Sequence, residues 1–118
     1  MLPDLYSGKH AQMAKPLINV PPKAKKGDVM EIKTLIAHIM ETGFRHSESG
    51  AVIPRDIINT FSCTYAGAEV FRADLSPAIA ANPFIVFSTL AIESGPMKFA
   101  WTDDKGETQT ETVQITVE

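Results

Sequence analysis

Seven groups able to hold protons, metals or oxyanions crowd one stretch of the chain: His38, Glu41, Arg45, His46, Glu48, Arg55 and Asp56. Imidazole and carboxylate together suit zinc or iron, which makes His38, Glu41 and His46 the metal-ligand candidates. Their spacing matches no recognised ligand set, and a polar stretch of this length collects such groups by chance. Cys63 with His38 is the nucleophile-and-base pairing on offer, but the pattern around Cys63 turns its side chain toward the core. No glycine-rich phosphate loop and no outstanding carboxylate pair is present. What remains unusual is the mixture in HIMETGFR, residues 38–45, because methionine and arginine are enriched where proteins meet.

The elements on either side must position these groups. After them comes Ile57–Tyr65, the best-formed strand of the chain. Ile57, Phe61, Cys63 and Tyr65 lie on one face, interrupted by Asn59; Ile58, Thr60, Ser62 and Thr64 lie on the other. One oily and one hydroxyl face describe a sheet packed on one side. Before them comes Val29–His38, where Met30, Ile32, Thr34 and Ile36 share a face; the turn signal Gly27-Asp28 and the β-branched residues favour a strand over a helix. The connection Ile39–Asp56 is about 18 residues, longer than a strand connection requires, and long loops on rigid sheets carry recognition.

The remaining segments read as further strands. Leu17–Val20 ends at Pro21-Pro22, which marks an edge. KAKKGD, residues 23–28, reads as an exposed turn whose lysines protect a sheet edge. Ala68–Leu75 forms a hairpin with the strand before it across Ala66-Gly67. Phe84–Ala91 is apolar on both faces, as a central buried strand would be. Met97–Thr102 and Glu107–Val117 flank the turn Asp103-Asp104-Lys105-Gly106. Seven strands with frequent turns are the pattern of an all-β, two-sheet sandwich. Its expected core is Ile32, Ile36, Ile57, Phe61, Cys63, Phe84, Val86, Leu90, Phe99, Trp101, Val113 and Ile115, with the Trp101 indole N–H needing one acceptor.

The chain has 118 residues, 11 Lys and Arg against 14 Asp and Glu, and a net charge of −3. One domain is the expectation, residues 13–118, preceded by an extension over 1–12 without apolar period or a signal-peptide core. The acidic balance argues against nucleic acid, which needs a basic footprint. No apolar run is long enough to span a membrane as a helix. The single cysteine cannot close an internal disulfide and reads as a small core residue.

KAKKGDVMEIKTLIAHIMETGFR, IPRDIINTFSCTYAGAEVFRADL, ANPF and FAWTDDKGETQTET follow one another in this order. In these blocks the chain, from Ala14 to Val117, resembles SoxZ, one subunit of the thiosulfate-oxidising sulfur carrier SoxYZ. The resemblance implies an immunoglobulin-like β-sandwich of about seven antiparallel strands. It implies a heterodimer with SoxY, whose cysteine on a glycine-rich C-terminal arm carries the sulfur intermediates, and transient meetings with the other enzymes of the pathway. By that resemblance this chain is a non-catalytic partner subunit, with no cofactor and no metal, working in the bacterial periplasm after export bound to SoxY. The terminus QITVE is not a GGCGG arm, which points to the partner rather than the carrier. Candidate interface residues are His38, Met40, Glu41, Arg45 and Arg55 with Asn82, Pro83 and Phe84. His38, Arg45 and Arg55 could complement a sulfonate or sulfate on the arm. The reading of another class is a stand-alone immunoglobulin-like binding module using the same loop; a small metalloenzyme is the third.

Overall fold

The computed structural model describes residues 15–118, so the extension expected over 1–12 lies outside the described residues. Eight strands follow one another: β1 (Leu17–Asn19), β2 (Lys23–Ala24), β3 (Val29–Leu35), β4 (Ile58–Tyr65), β5 (Ala68–Asp74), β6 (Phe84–Leu90), β7 (Gly95–Asp103) and β8 (Thr108–Val117). They form a three-stranded sheet, β1-β3-β6, and a five-stranded sheet, β2-β8-β7-β4-β5. The all-β sandwich legible in the alternation is the observed fold. Seven strands stand where the sequence places them. The eighth, β2, occupies two residues of the KAKKGD stretch expected as a turn. It runs parallel to β8, pairing Lys23 with Thr116 and Ala24 with Val117, while every other strand pair is antiparallel. The reason lies in Pro21-Pro22. Proline cannot continue β1 as a donor, but the Pro22 carbonyl still accepts the Thr116 N–H at 3.0 Å. The chain thus leaves one sheet and joins the edge of the other.

The core fills the space between the sheets. Met30, Ile32 and Thr34 point in from β3, Phe61, Cys63 and Tyr65 from β4, Met97, Phe99 and Trp101 from β7, and Ile115 from β8. Phe61 is the hub: its ring lies 5.2 Å from Trp101, 6.0 Å from Phe71 and 6.0 Å from Phe87. Phe71 on β5 stacks on Phe87 of β6 with centroids 4.5 Å apart, so an aromatic pair bridges the two sheets. Such pairs contribute about 0.5–1.5 kcal/mol each beyond the area they bury. Tyr65 bolts the sheets at the far end of β4. Its hydroxyl donates to the Glu93 carbonyl at 2.6 Å and accepts the N–H groups of Ile92 and Glu93 at 3.1 Å each. The β4–β5 hairpin closes through Ala66-Gly67 with φ of 54° and 75°, the mirror-image turn that suits the twist of a hairpin.

Three core expectations are corrected. Phe84, Val86 and Leu90 lie on the surface, 62%, 44% and 52% exposed, while Ile85 and Phe87 of the same strand point inward. An apolar run does not say which of its faces is covered, and the sheet that holds β6 meets the core on one face, the face of Ile85 and Phe87. Ile58 is fully buried rather than outward, because the β4–β7 register shifts between Ile58 and Thr60 and the bulge turns both Ile57 and Ile58 to the core. Val113 is half-buried at the core margin. The Trp101 indole nitrogen has no hydrogen-bond partner among the described residues, where the sequence reading expected one acceptor.

Candidate functional site

The long connection between β3 and β4 is an ordered finger. Its base extends the β3–β6 ladder beyond Leu35 and Phe84. The Ile36 N–H reaches the Pro83 carbonyl at 3.4 Å, and His38 and Asn82 exchange two bonds: Asn82 N–H to His38 O at 2.8 Å, His38 N–H to Asn82 Oδ1 at 3.0 Å. Asn82 sits at φ 55°, a left-handed conformation that asparagine tolerates better than most residues. Further out, Glu41 and Asp56 exchange both main-chain bonds at 2.9 and 2.8 Å, Ile53 N–H reaches Arg45 O, and Ser47 and Ala51 close the tip. Gly43, at φ 88°, lets the two arms meet: a Cβ there would stand 2.9 Å from the Arg55 Cβ. Phe44 is 76% exposed on this finger, with Ile39 and Val52 also turned to solvent.

The finger is tied down at Asp104, in the β7–β8 turn. Its carboxylate accepts two bonds from the Arg55 guanidinium at 2.8 Å each, one from the Asn59 amide at 3.0 Å and one from the Ile57 N–H at 3.1 Å. Desolvation works to raise this carboxyl, but the hydrogen bonds from Arg55, Asn59 and Ile57 outweigh it and hold it below the ordinary aspartate value. On the other arm, Arg45 grips Glu41 at 2.7 Å. That hydrogen bond, opposed by some desolvation, keeps the Glu41 carboxyl below its usual range and the Arg45 guanidinium above its own.

The expected site residues therefore separate by role. Arg45 and Arg55 remain partly exposed, each with one edge of its guanidinium taken by a carboxylate. Glu41 is spent on Arg45. Met40 turns inward, and its sulfur accepts the Ile58 N–H at 3.3 Å beside the bulge. The His38 ring is only 6% exposed. Pro83 is buried and Asn82 serves the backbone, while Phe84 alone of that trio presents a large apolar surface.

The expected ligand trio of His38, Glu41 and His46 is not what comes together. His38, Asp56 and Asp103 do, with one ligand-type atom from each within 4.8 Å of the others. Asp56 Oδ1 and Asp103 Oδ2 are buried without hydrogen-bond partners among the described residues. His38 Nδ1 accepts the Met40 N–H at 3.0 Å, which puts the proton of the neutral ring on Nε2, 3.9 Å from Asp56 Oδ1. A cation at Nε2 would have to displace that proton. One donor facing two acceptors is the complement of a bridging water. Lys105 Nζ, 3.3 Å from Asp56 Oδ2, balances part of the charge.

The two outer faces of the sandwich differ sharply in chemistry. On the five-stranded sheet, β8 turns Thr108, Thr110, Thr112, Gln114 and Thr116 to solvent. On the three-stranded sheet the cross-strand rows are Leu17–Leu35–Phe84, Asn19–Lys33–Val86, Glu31–Ser88 and Val29–Leu90. Leu17, Val29, Phe84, Val86 and Leu90 are all exposed there. A groove of about 400 Å³ runs over the first two rows, walled by Leu17, Leu35 and Phe84 with Lys33 at its side. Of this face the sequence reading named only Phe84 as an interface candidate, and it missed Asp104. The signal for the face was the apolar run Phe84–Phe87 that opens β6, read as burial. For Asp104 the sequence carried only a turn signature.

The family model described as "Sulphur oxidation protein SoxZ" matches residues 18–114. No curated protein matches the chain. Among solved structures, a superoxide reductase (neelaredoxin) from Ignicoccus hospitalis superposes with a TM-score of 0.69 at 14% identity, covering 98% of this chain and 89% of that one. The sulfur carrier protein SoxY from Chlorobium limicola f thiosulfatophilum superposes with a TM-score of 0.59 at 11% identity, covering 86% of this chain and 74% of that one. At such identities the likeness is one of fold.

Proposed function

The chain belongs to the SoxZ family, and from that premise we propose that it is the non-catalytic subunit of a heterodimeric sulfur carrier. Its partner is a SoxY-type subunit that holds sulfur intermediates covalently during thiosulfate oxidation, and the pair works in the periplasm and meets the other enzymes of the pathway transiently. The observation that carries this reading is the family match across residues 18–114. The state of Cys63 agrees with it. A carrier cysteine must offer an accessible thiolate. Cys63 is fully buried in β4, and burial pushes its thiol up to about 12, so the sulfur belongs on the partner. Among the interface candidates, Phe84 at the base of the finger leaves a large apolar surface exposed, which supports its part in meeting a partner. Arg45 and Arg55 are the groups suited to an oxyanion at that rim; His38, with its ring buried, is not.

The test is co-expression with a SoxY-type subunit, followed by size-exclusion chromatography and intact mass. A one-to-one complex that survives salt is expected. A chain that elutes alone at the mass of a monomer would replace this reading with that of a stand-alone binding module.

A further inference from the structure

We propose that His38, Asp56 and Asp103 bind one divalent cation of the zinc type, which pins both arms of the finger to the end of β7. The three residues come from three separate segments. His38 lies on the arm that leaves β3, Asp56 on the arm that returns to β4, and Asp103 at the last position of β7. One imidazole nitrogen with two carboxylate oxygens is a donor set suited to zinc and its neighbours. The site is independent of the family reading, and its test needs no partner.

The first ground is what these side chains leave unmade. Asp103 is 1% exposed. Its Oδ1 caps the β7–β8 turn, accepting the N–H groups of Lys105 and Glu107 at 2.9 and 3.0 Å, while Oδ2 has no partner among the described residues. Asp56 Oδ1 is buried in the same state, 3.9 Å from His38 Nε2. A buried carboxylate oxygen without a partner is costly, and two in one cluster call for a positive group. The second ground is charge. Within the cluster two carboxylates stand against one ammonium, Lys105 Nζ, whose side chain is half-exposed and able to turn to water. The third is distance. Bonds of about 2.0–2.2 Å to a tetrahedral cation set the ligand atoms roughly 3.4 Å apart. The three atoms lie within 4.8 Å of one another, so each moves inward by under about 1 Å, and a water takes the fourth position.

His38 poses the obstacle, and the backbone beside it removes it. Nδ1 accepts the Met40 N–H at 3.0 Å, which leaves the ring proton on Nε2, where the cation must sit. Met40 holds that N–H in place at φ 53°, a left-handed conformation uncommon for a residue with a long side chain. Turning over the Ile39–Met40 peptide takes Met40 to a negative φ and offers Nδ1 the Ile39 carbonyl instead. The ring proton then passes, by exchange with water, from Nε2 to Nδ1, and Nε2 keeps a free electron pair for the cation. The ring gains and loses no net proton. A carbonyl behind Nδ1–H is a common support of a metal-bound histidine. Ile39 is largely exposed, so water meets the displaced Met40 N–H.

The experiment strips the full chain with a chelator and titrates it with zinc by calorimetry, counting bound metal by mass spectrometry after dialysis. One equivalent should bind. Free zinc at about 100 times Kd should raise the thermal midpoint by on the order of 10 °C. Asp103→Asn keeps the Oδ1 that caps the turn, and Asp56→Asn keeps the shape of its side chain. Each should bind at least about 100-fold more weakly, with the circular dichroism of the metal-free parent. His46→Gln, at an exposed position on the finger, is the control and should bind as the parent does. A further readout needs no variant: nitrogen-15 NMR should find the His38 proton on Nε2 in the metal-free chain and on Nδ1 with zinc bound. Lack of stoichiometric binding, binding that both asparagine variants retain, binding that His46→Gln removes, or a His38 tautomer that zinc leaves unchanged would each overturn the inference and leave the two buried oxygens to water alone.

Discussion

Replacing Asp104 with alanine should unlatch the finger from the sandwich at a cost of about 2–4 kcal/mol. The figure follows from what the carboxylate holds. The Ile57 N–H, on a fully buried residue, would lose its acceptor, and an orphaned buried donor costs about 1–3 kcal/mol. The bidentate pair with Arg55 adds little because that guanidinium is half in water, at most about 1 kcal/mol. The Asn59 amide contributes a similar amount. For a domain of this size each kcal/mol moves the thermal midpoint by about 4–8 °C, so a fall on the order of 10–20 °C is expected by calorimetry or circular dichroism. The pH dependence identifies the cause. The folded carboxyl lies below its ordinary value of 3.8, so its stabilisation is present above that value and lost as pH falls through the lower folded value. The gap between parent and Asp104→Ala should thus be constant near neutrality and narrow below about pH 4. A cost under about 1 kcal/mol, or a gap that does not narrow in acid, would refute the claim that this carboxylate organises the loop.

Three further outcomes follow from the geometry. Tyr65→Phe leaves the Ile92 and Glu93 N–H groups without their shared acceptor and should destabilise by about 2 kcal/mol in urea melts, with an unchanged m-value. Gly43→Ala meets both a positive φ and the Arg55 Cβ, and should cost about 1–3 kcal/mol while raising amide exchange across residues 41–56 before that of the sheets. Cys63 should not react with a thiol reagent at pH 8 in the native chain and should titrate as one thiol in guanidinium; because its folded value is raised from 9.0 to about 12, it lowers stability as pH rises through that interval.

Strand identity was legible because it rests on local alternation. Met30, Ile32 and Thr34 declare one face of β3, and Met97, Phe99 and Trp101 declare one face of β7, whatever lies across from them. The hairpin turns were legible for the same reason, since Ala66-Gly67 and the Asp103–Gly106 run mark reversals within four residues. The finger was legible as a long connection of mixed chemistry between two strands, from Ile39 to Asp56. Family membership was also written in the order of its sequence blocks.

The tertiary structure decided what depends on a second layer. FIVFSTL has apolar residues on both faces, and only the packing of the second sheet, which covers the face of Ile85 and Phe87, shows that Phe84, Val86 and Leu90 face outward. Ile58 became core through a bulge, a register event between strands that no single strand records, and Met40 reached the core by setting its sulfur on the Ile58 N–H. Lys23-Ala24 became a strand because β8 offered an edge more than ninety residues away. Asp104, His38, Asp56 and Asp103 were visible as types but not as neighbours, since carboxylates and imidazoles acquire partners only when the β7–β8 turn and the finger are brought together. Periodicity in a chain reports which side of a strand is oily. Whether that side meets the core is set by packing between segments distant in sequence, and in β6 that packing placed Ile85 and Phe87 against the core and left Phe84, Val86 and Leu90 outside it.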